Sequence, residues 1–174
     1  MTSSIADTSF LVDWVRYSGR DLLFKYYDIV YLSESVLDEV RSEATLQWIA
    51  SWMVEGRVKV LEETLDVRRE ALRIVEASRV LPVRSADYPE AVCLVMGRLY
   101  DLHVLSENTA IFAVKELIPE YSGVVVLRAI DVLYNLASRG FISDFVEELR
   151  RYIRETRHTY SRAILRRYGL EQIE

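Results

Sequence analysis

The chain's patterning predicts an α/β fold: a three-layer α/β/α sandwich around a parallel sheet, extended at its C-terminus by further helix. Three observations carry that expectation. Short apolar runs alternate with amphipathic stretches as far as about residue 142, and strands separated by helices pair in parallel through right-handed crossovers with helices on both faces. At 174 residues and 51% hydrophobic composition, the chain is long enough to bury one real core. Beyond Ser143 the strand signals stop and an arginine-rich, helical pattern takes over.

The elements follow in order. "SSIA" is a short strand ending at Asp7, and "SFLVDWVRY" then places Phe10, Trp14 and Tyr17 at helical spacing. "DIVYL" is the second strand, leading into a helix over "SESVLDEVRSEA", where Val36 and Val40 share a face and a serine is available as cap. Helices over "TLQWIASWMVEG" and "TLDVRREALRIVEASRV" flank a small strand, "RVKVL". "SADYPEAVCLVMGRLYD" opens a helix with proline in its first turn. "LHVLS" is the next strand, before the helix "ENTAIFAVKEL". "GVVVL" is the last strand, and the helix "AIDVLYNLASRG" stops at its glycine. The remainder reads as helix.

Charge and composition exclude several classes. A net charge of −5 conceals an acidic body and a basic tail: residues 149–167 hold seven Arg against one Glu. The apolar stretches are short and broken by charge, and no basic region precedes an apolar leader, so a cytoplasmic protein with no membrane span is expected. The single cysteine, Cys93, reads as a small buried hydrophobe, and neither His103 nor His158 has an evident partner in the sequence. Trp48 and Trp52 stand one helical turn apart, a spacing that favours core packing; exposed, the pair would anchor a homodimer.

In open α/β sheets ligands bind beyond the carboxyl ends of the strands. Acids recur there: Asp7 ends the first strand, Glu39 lies on the helix after the second, Glu90 opens the proline-bearing helix and Glu107 follows "HVLS". A hard divalent ion prefers oxygen ligands and keeps several waters, so a few carboxylates plus a substrate phosphate suffice to hold it. No glycine-rich phosphate loop, His/Cys cluster or serine triad competes with these acids.

The segments "IADTSFLVD", "VYLSESVLDEV", "SADYPEAVCLVMGRL", "HVLSENTAIFAVKEL" and "GVVVLRAIDVLYNLASRGFI" together resemble the successive motifs of PIN-domain proteins, the fold of VapC-type toxin nucleases. The likeness covers residues 3 to 142 and leaves the segment over about 44–81, expected as a helical insertion, and the extension over 143–174 unexplained. It implies a PIN-like nuclease domain over 1–142 that hydrolyses RNA phosphodiesters with water activated by Mg²⁺ or Mn²⁺, in one setting as the toxin of a toxin–antitoxin pair. Asp7, Glu39, Glu90 and Glu107 would be both catalytic residues and metal ligands, with Thr8, Ser9 and Asn108 in support. Arg128, which stands in the last motif, and Arg150 and Arg154 of the tail are the expected RNA-binding residues. The implied partners are RNA, an antitoxin protein and a second copy of the chain.

Departures from the pattern keep two other readings open. "DYPE" has proline where the family has glycine, and "SEN" puts Asn108 at a usual acid. A catalytically weak or inactive PIN-fold module that binds RNA or protein fits those changes. In the third reading the protein is structural: Asp7 and Asp87 cap helices, Glu90 completes a capping box, Glu107 answers a helix dipole and Glu39 lies on a solvated face.

Overall fold

The computed structural model describes residues 2–80 and 84–171. The end of the expected insertion, at residue 81, and residues 172–174 of the extension lie outside them. β1 (Ser3–Ala6) passes through Asp7 into α1 (Thr8–Arg16). Phe10, Leu11, Trp14 and Val15 recur at helical spacing on α1 and are all buried, so one face of the helix is committed to the core. A 3-10 turn (Arg20–Leu22) and α2 (Leu23–Tyr26), which the patterning does not signal, carry the chain to β2 (Ile29–Ser33).

The helix expected over "SESVLDEVRSEA" ends early, as α3 (Glu34–Glu39), and the helix expected over "TLQWIASWMVEG" starts two residues sooner, as α4 (Glu43–Val54). Val40 is buried in an extended conformation, and the Ser42 hydroxyl accepts the Thr45 N–H to start the second helix; a serine offers the backbone that local alternative to continuing a helix. β3 (Val58–Leu61) and α5 (Leu65–Ser78) follow. Then come α6 (Tyr88–Leu99), β4 (His103–Leu105), α7 (Thr109–Leu117), β5 (Val126–Leu127) and α8 (Ala129–Ser138). Only the last two residues of the expected "GVVVL" strand pair with a neighbour.

The strands form one five-stranded sheet in the order β3-β2-β1-β4-β5, parallel at every junction. α5, α6 and α7 pack together as one layer, while α1, α2, α8 and the C-terminal α9 (Phe145–Thr156) pack as the other. The result is the expected three-layer sandwich. β3, from within the segment expected as a helical insertion, is an edge strand of the sheet.

The C-terminal extension is not continuous helix. Arg157 takes the left-handed conformation, φ 59°, and ends α9. Residues 158–161 then run without helix to α10 (Arg162–Arg166). Trp48 is buried and Trp52 half-buried; both indole N–H groups donate to Asp21 Oδ1, at 3.1 and 3.3 Å. Among the described residues no helix is long and apolar enough to cross a membrane.

Candidate functional site

The sheet changes direction of growth at β1, which is flanked by β2 on one side and β4 on the other. Loops leaving the carboxyl ends of β1 and β4 therefore diverge and open a crevice, the usual ligand position in such a sheet. Asp7 and Ser106 are its first two residues: the Asp7 N–H donates to the Leu105 carbonyl at 3.0 Å, and the Ser106 N–H to that of Leu127 at 3.0 Å. Each thus continues the ladder by one bond before its side chain enters the crevice.

Asp7 is fully buried. Its Oδ1 accepts the Phe10 N–H at 2.8 Å, capping α1, and the Ser9 hydroxyl at 2.8 Å, while Oδ2 accepts the Ser106 hydroxyl. Burial nevertheless wins over these donors and, with the charge of Glu90 adding to it, raises the Asp7 carboxyl to about 7. Cap and site residue are one group here, because the residue that starts α1 is also the one at the strand end.

Glu90 is held from two sides. Its Oε2 accepts the Asp87 N–H at 2.9 Å, the return half of a capping box, and its Oε1 accepts the side-chain amide of Asn108. Burial raises its pKa above the ordinary carboxylate range. Asn108 also caps α7, through Oδ1 and the Ala110 N–H at 2.8 Å. Glu39 is exposed at the end of α3 and accepts the Thr8 hydroxyl at 2.8 Å, so it reaches the crevice rim through that residue. Ser9 accepts the Glu107 N–H at 3.2 Å and ties the two loops together.

Glu107 turns away from Asp7. Its Oε1 accepts the Ala129 N–H at 2.7 Å, capping α8, and the Tyr160 hydroxyl at 3.2 Å. Its Oε2 faces His158 Nε2 at 3.2 Å, an ion pair lying off the hydrogen-bond line. The other ring nitrogen of His158, Nδ1, meets Asp13 Oδ2 of α1 at 2.9 Å. Burial works against the imidazolium, but the two carboxylates outweigh it and hold His158 up to about 9. Ser9, Asp13, Glu90, Glu107, Asn108 and His158 thereby border one open cavity of about 650 Å³.

The expected RNA-binding arginines separate. Arg150 and Arg154 are exposed on α9, the former 3.9 Å from Glu147. Arg128 is buried, with its guanidinium 3.5 Å from the centre of the Phe112 ring. Asp13, Ser106, His158 and Tyr160 are site residues that the sequence does not single out. Only Ser106 carried a local signal, as the polar residue closing the run "HVLS".

Among the described residues no three or more His, Cys, Asp or Glu side chains converge as a group able to hold a metal ion. Asp7 and Glu90 remain as two carboxylates, with the charge of Glu90 reaching Asp7 and the Ser9 and Ser106 hydroxyls supplying further oxygens, while Asn108 turns its side-chain NH₂ to Glu90 and its oxygen to the Ala110 N–H. That all-oxygen set fits Mg²⁺ or Mn²⁺, since Mg²⁺ typically needs only one or two protein carboxylates and completes its shell with water and substrate phosphate. In comparisons with known proteins, no family model and no curated sequence matches the chain.

Proposed function

We propose that the chain is a metal-dependent ribonuclease of the PIN type, working at the crevice between β1 and β4. The observation that carries this reading is the Asp7–Glu90 pair: two carboxylates at the switch point of a parallel sheet, both resisting ionisation, with the Ser9 and Ser106 hydroxyls beside Asp7. Such a pair gains most from a divalent cation, because the cation removes the burial and like-charge penalties together. Asp7 and Glu90 would hold the ion. When bound, it would activate a water and neutralise phosphoryl charge.

The chain's own residues have distinct duties in this reading. Ser9 and Ser106 fix the Asp7 carboxylate by donating one hydroxyl to each oxygen. Asn108 orients Glu90, and Thr8 orients Glu39 at the rim, where a strand could enter. A second reading, a PIN-fold module that binds RNA without cutting it, is favoured by one feature: Glu107, at an expected ligand position, is already engaged by Ala129, Tyr160 and His158.

Incubation of the purified chain with single-stranded and hairpin RNAs in Mg²⁺, Mn²⁺ and EDTA separates the two. Cleavage that needs the divalent ion and disappears in Asp7→Asn and Glu90→Gln supports the nuclease. Divalent-ion binding and RNA binding with no cleavage in any arm transfers the assignment to the binding module. Cleavage that survives in Asp7→Asn is contamination and counts against the nuclease reading.

A further inference from the structure

Arg128 is a buried cation whose guanidinium makes no hydrogen bond or ion pair among the described residues. It is 6% exposed, stacks over Phe112, and bonds only through its backbone N–H, to Asp131 Oδ2 at 2.7 Å. The two carboxylates whose charges reach it are committed elsewhere. Asp131 takes the Arg128 amide on one oxygen and the Tyr168 hydroxyl on the other. Glu107 is divided between Ala129, Tyr160 and His158. Burial lowers the Arg128 pKa from its usual range; Glu107 and Asp131 oppose that shift, and the nearby charge of Arg167 adds to it.

A guanidinium carries five N–H donors and keeps its charge in proteins. Phe112 satisfies its flat face, but no group among the described residues hydrogen-bonds its rim. No carboxylate is bonded to that rim and solvent still reaches it, so the group is open to an anion from outside the chain. The space for one is adjacent: a cavity of about 420 Å³ bordered by Arg128, Lys115, Arg167, Phe112, Asp131 and Ile164, among others. The start of α8 does not supply the recognition, since the N–H groups of Arg128, Ala129 and Ile130 are each already bonded. Side chains must therefore do it. The cavity is bordered by three cations, Arg128, Lys115 and Arg167, against two carboxylates, Glu116 and Asp131, an excess of positive charge that suits the oxygens of a phosphoryl group, which arginine takes through paired N–H bonds.

We propose that Arg128, with Lys115 and Arg167, forms a phosphoryl-binding subsite that takes a backbone phosphate of single-stranded nucleic acid. The phosphoryl chemistry stands on Arg128 and its cavity; the backbone as its source rests on the nuclease reading above. Position supports that source. Arg128 directly follows β5, and its neighbour Ala129 is bonded to Glu107 of the crevice. A strand lying across the carboxyl edge of the sheet would meet both.

The test uses the full chain in EDTA, so that binding is read without cleavage. Inorganic phosphate and a nucleoside 5′-monophosphate are titrated calorimetrically, and a labelled single-stranded RNA is followed by fluorescence anisotropy at several salt concentrations. Arg128→Lys keeps a charge but loses the fork, and should weaken phosphate and RNA roughly tenfold. Arg167→Ala, at an exposed position that does not endanger folding, should weaken both severalfold and shallow the log–log salt slope for RNA by about one unit. If both variants bind phosphate and RNA as the unaltered chain does, the subsite is overturned. Loss of phosphate and monophosphate binding with RNA affinity unchanged upholds the phosphoryl site and overturns the backbone as its source. RNA binding that depends on Arg128 and Arg167, in a chain that never cleaves with Mn²⁺, upholds the subsite while the nuclease reading fails.

Discussion

The imidazole of His158 stands 3.2 Å from the carboxylate of Glu107, joining the segment after α9 to the loop after β4. Asp13 of α1 completes the bridge from the other ring nitrogen. One side chain thus ties three parts of the fold together at the border of the crevice. The left-handed turn at Arg157 ends α9 immediately before it.

Removing that imidazole strands a carboxylate. The Glu107 side chain is only 5% exposed and its Oε2 has no other partner among the described residues, whereas His158 keeps 18% exposure. His158→Ala should therefore destabilise the chain by about 2–4 kcal/mol, somewhat less than breaking a fully buried pair. Combining it with Glu107→Gln, which removes the stranded charge, should recover about 1 kcal/mol or more relative to additivity. Urea unfolding of the four proteins measures the coupling, and additive losses would show that the contact contributes none.

Stability should also fall as pH rises through the neutral range. His158 has a folded pKa of about 9 against an ordinary value of 6.5, so its contribution is complete below 6.5 and is lost as pH climbs towards 9. Asp7, raised from 3.8 to about 7, acts in the same direction in a lower window, its contribution present below 3.8 and lost as pH rises through 7. Urea midpoints between pH 6.5 and 9 should decline, and His158→Gln should flatten that decline. A variant as steep as the parent would assign the slope to other groups.

The alternation of apolar runs made the parallel sandwich legible, and the acids at strand ends made the crevice legible, because both are local patterns. The partnership of His158 was not. Its two carboxylates lie in α1 and after β4, far away in sequence, and nothing within a helical turn of position 158 marks it. Glu107 shows the same limit. Proximity to α7 suggested the dipole of its own helix, but the side chain reaches the first amide of α8, a choice set by how β4 and β5 lie side by side. The break at Val40 was hidden because Val36 and Val40 match one helical face; the cap at Ser42 overrode that spacing.

Gly97 controls how closely α6 approaches the sheet. A Cβ there would stand 2.3 Å from Val104 Cγ2 and 3.3 Å from the Leu102 carbonyl oxygen. Val104 is fully buried on β4 and, being β-branched, has little freedom to yield. Gly97→Ala should cost about 1–3 kcal/mol by overpacking, outweighing the gain of under ~1 kcal/mol in helix propensity. Since α6 carries Glu90 and β4 leads to Asn108, the displacement should also loosen their contact. In a Val104→Ala background the same substitution should approach neutrality. Stabilisation of the parent by Gly97→Ala would refute the close approach.

Asp7→Asn tests whether the strand-end carboxylate is there for the fold or for a ligand. The amide can keep most of the local geometry: its oxygen accepts the Phe10 N–H, and its NH₂ can face Ser106, whose hydroxyl can accept as well as donate. The change removes a group that burial and Glu90 already disfavour as an anion near pH 7. Stability above pH 7 should therefore be retained or rise slightly, without the loss of about 1 kcal/mol typical of a deleted cap. The nuclease reading adds that Mn²⁺ raises the melting temperature of the parent by binding only the folded chain, and that Asp7→Asn abolishes this rise. Thermal unfolding of both proteins with and without Mn²⁺ decides the matter. A destabilised variant that still responds to the ion would make Asp7 a cap and nothing more, and would move the ion elsewhere.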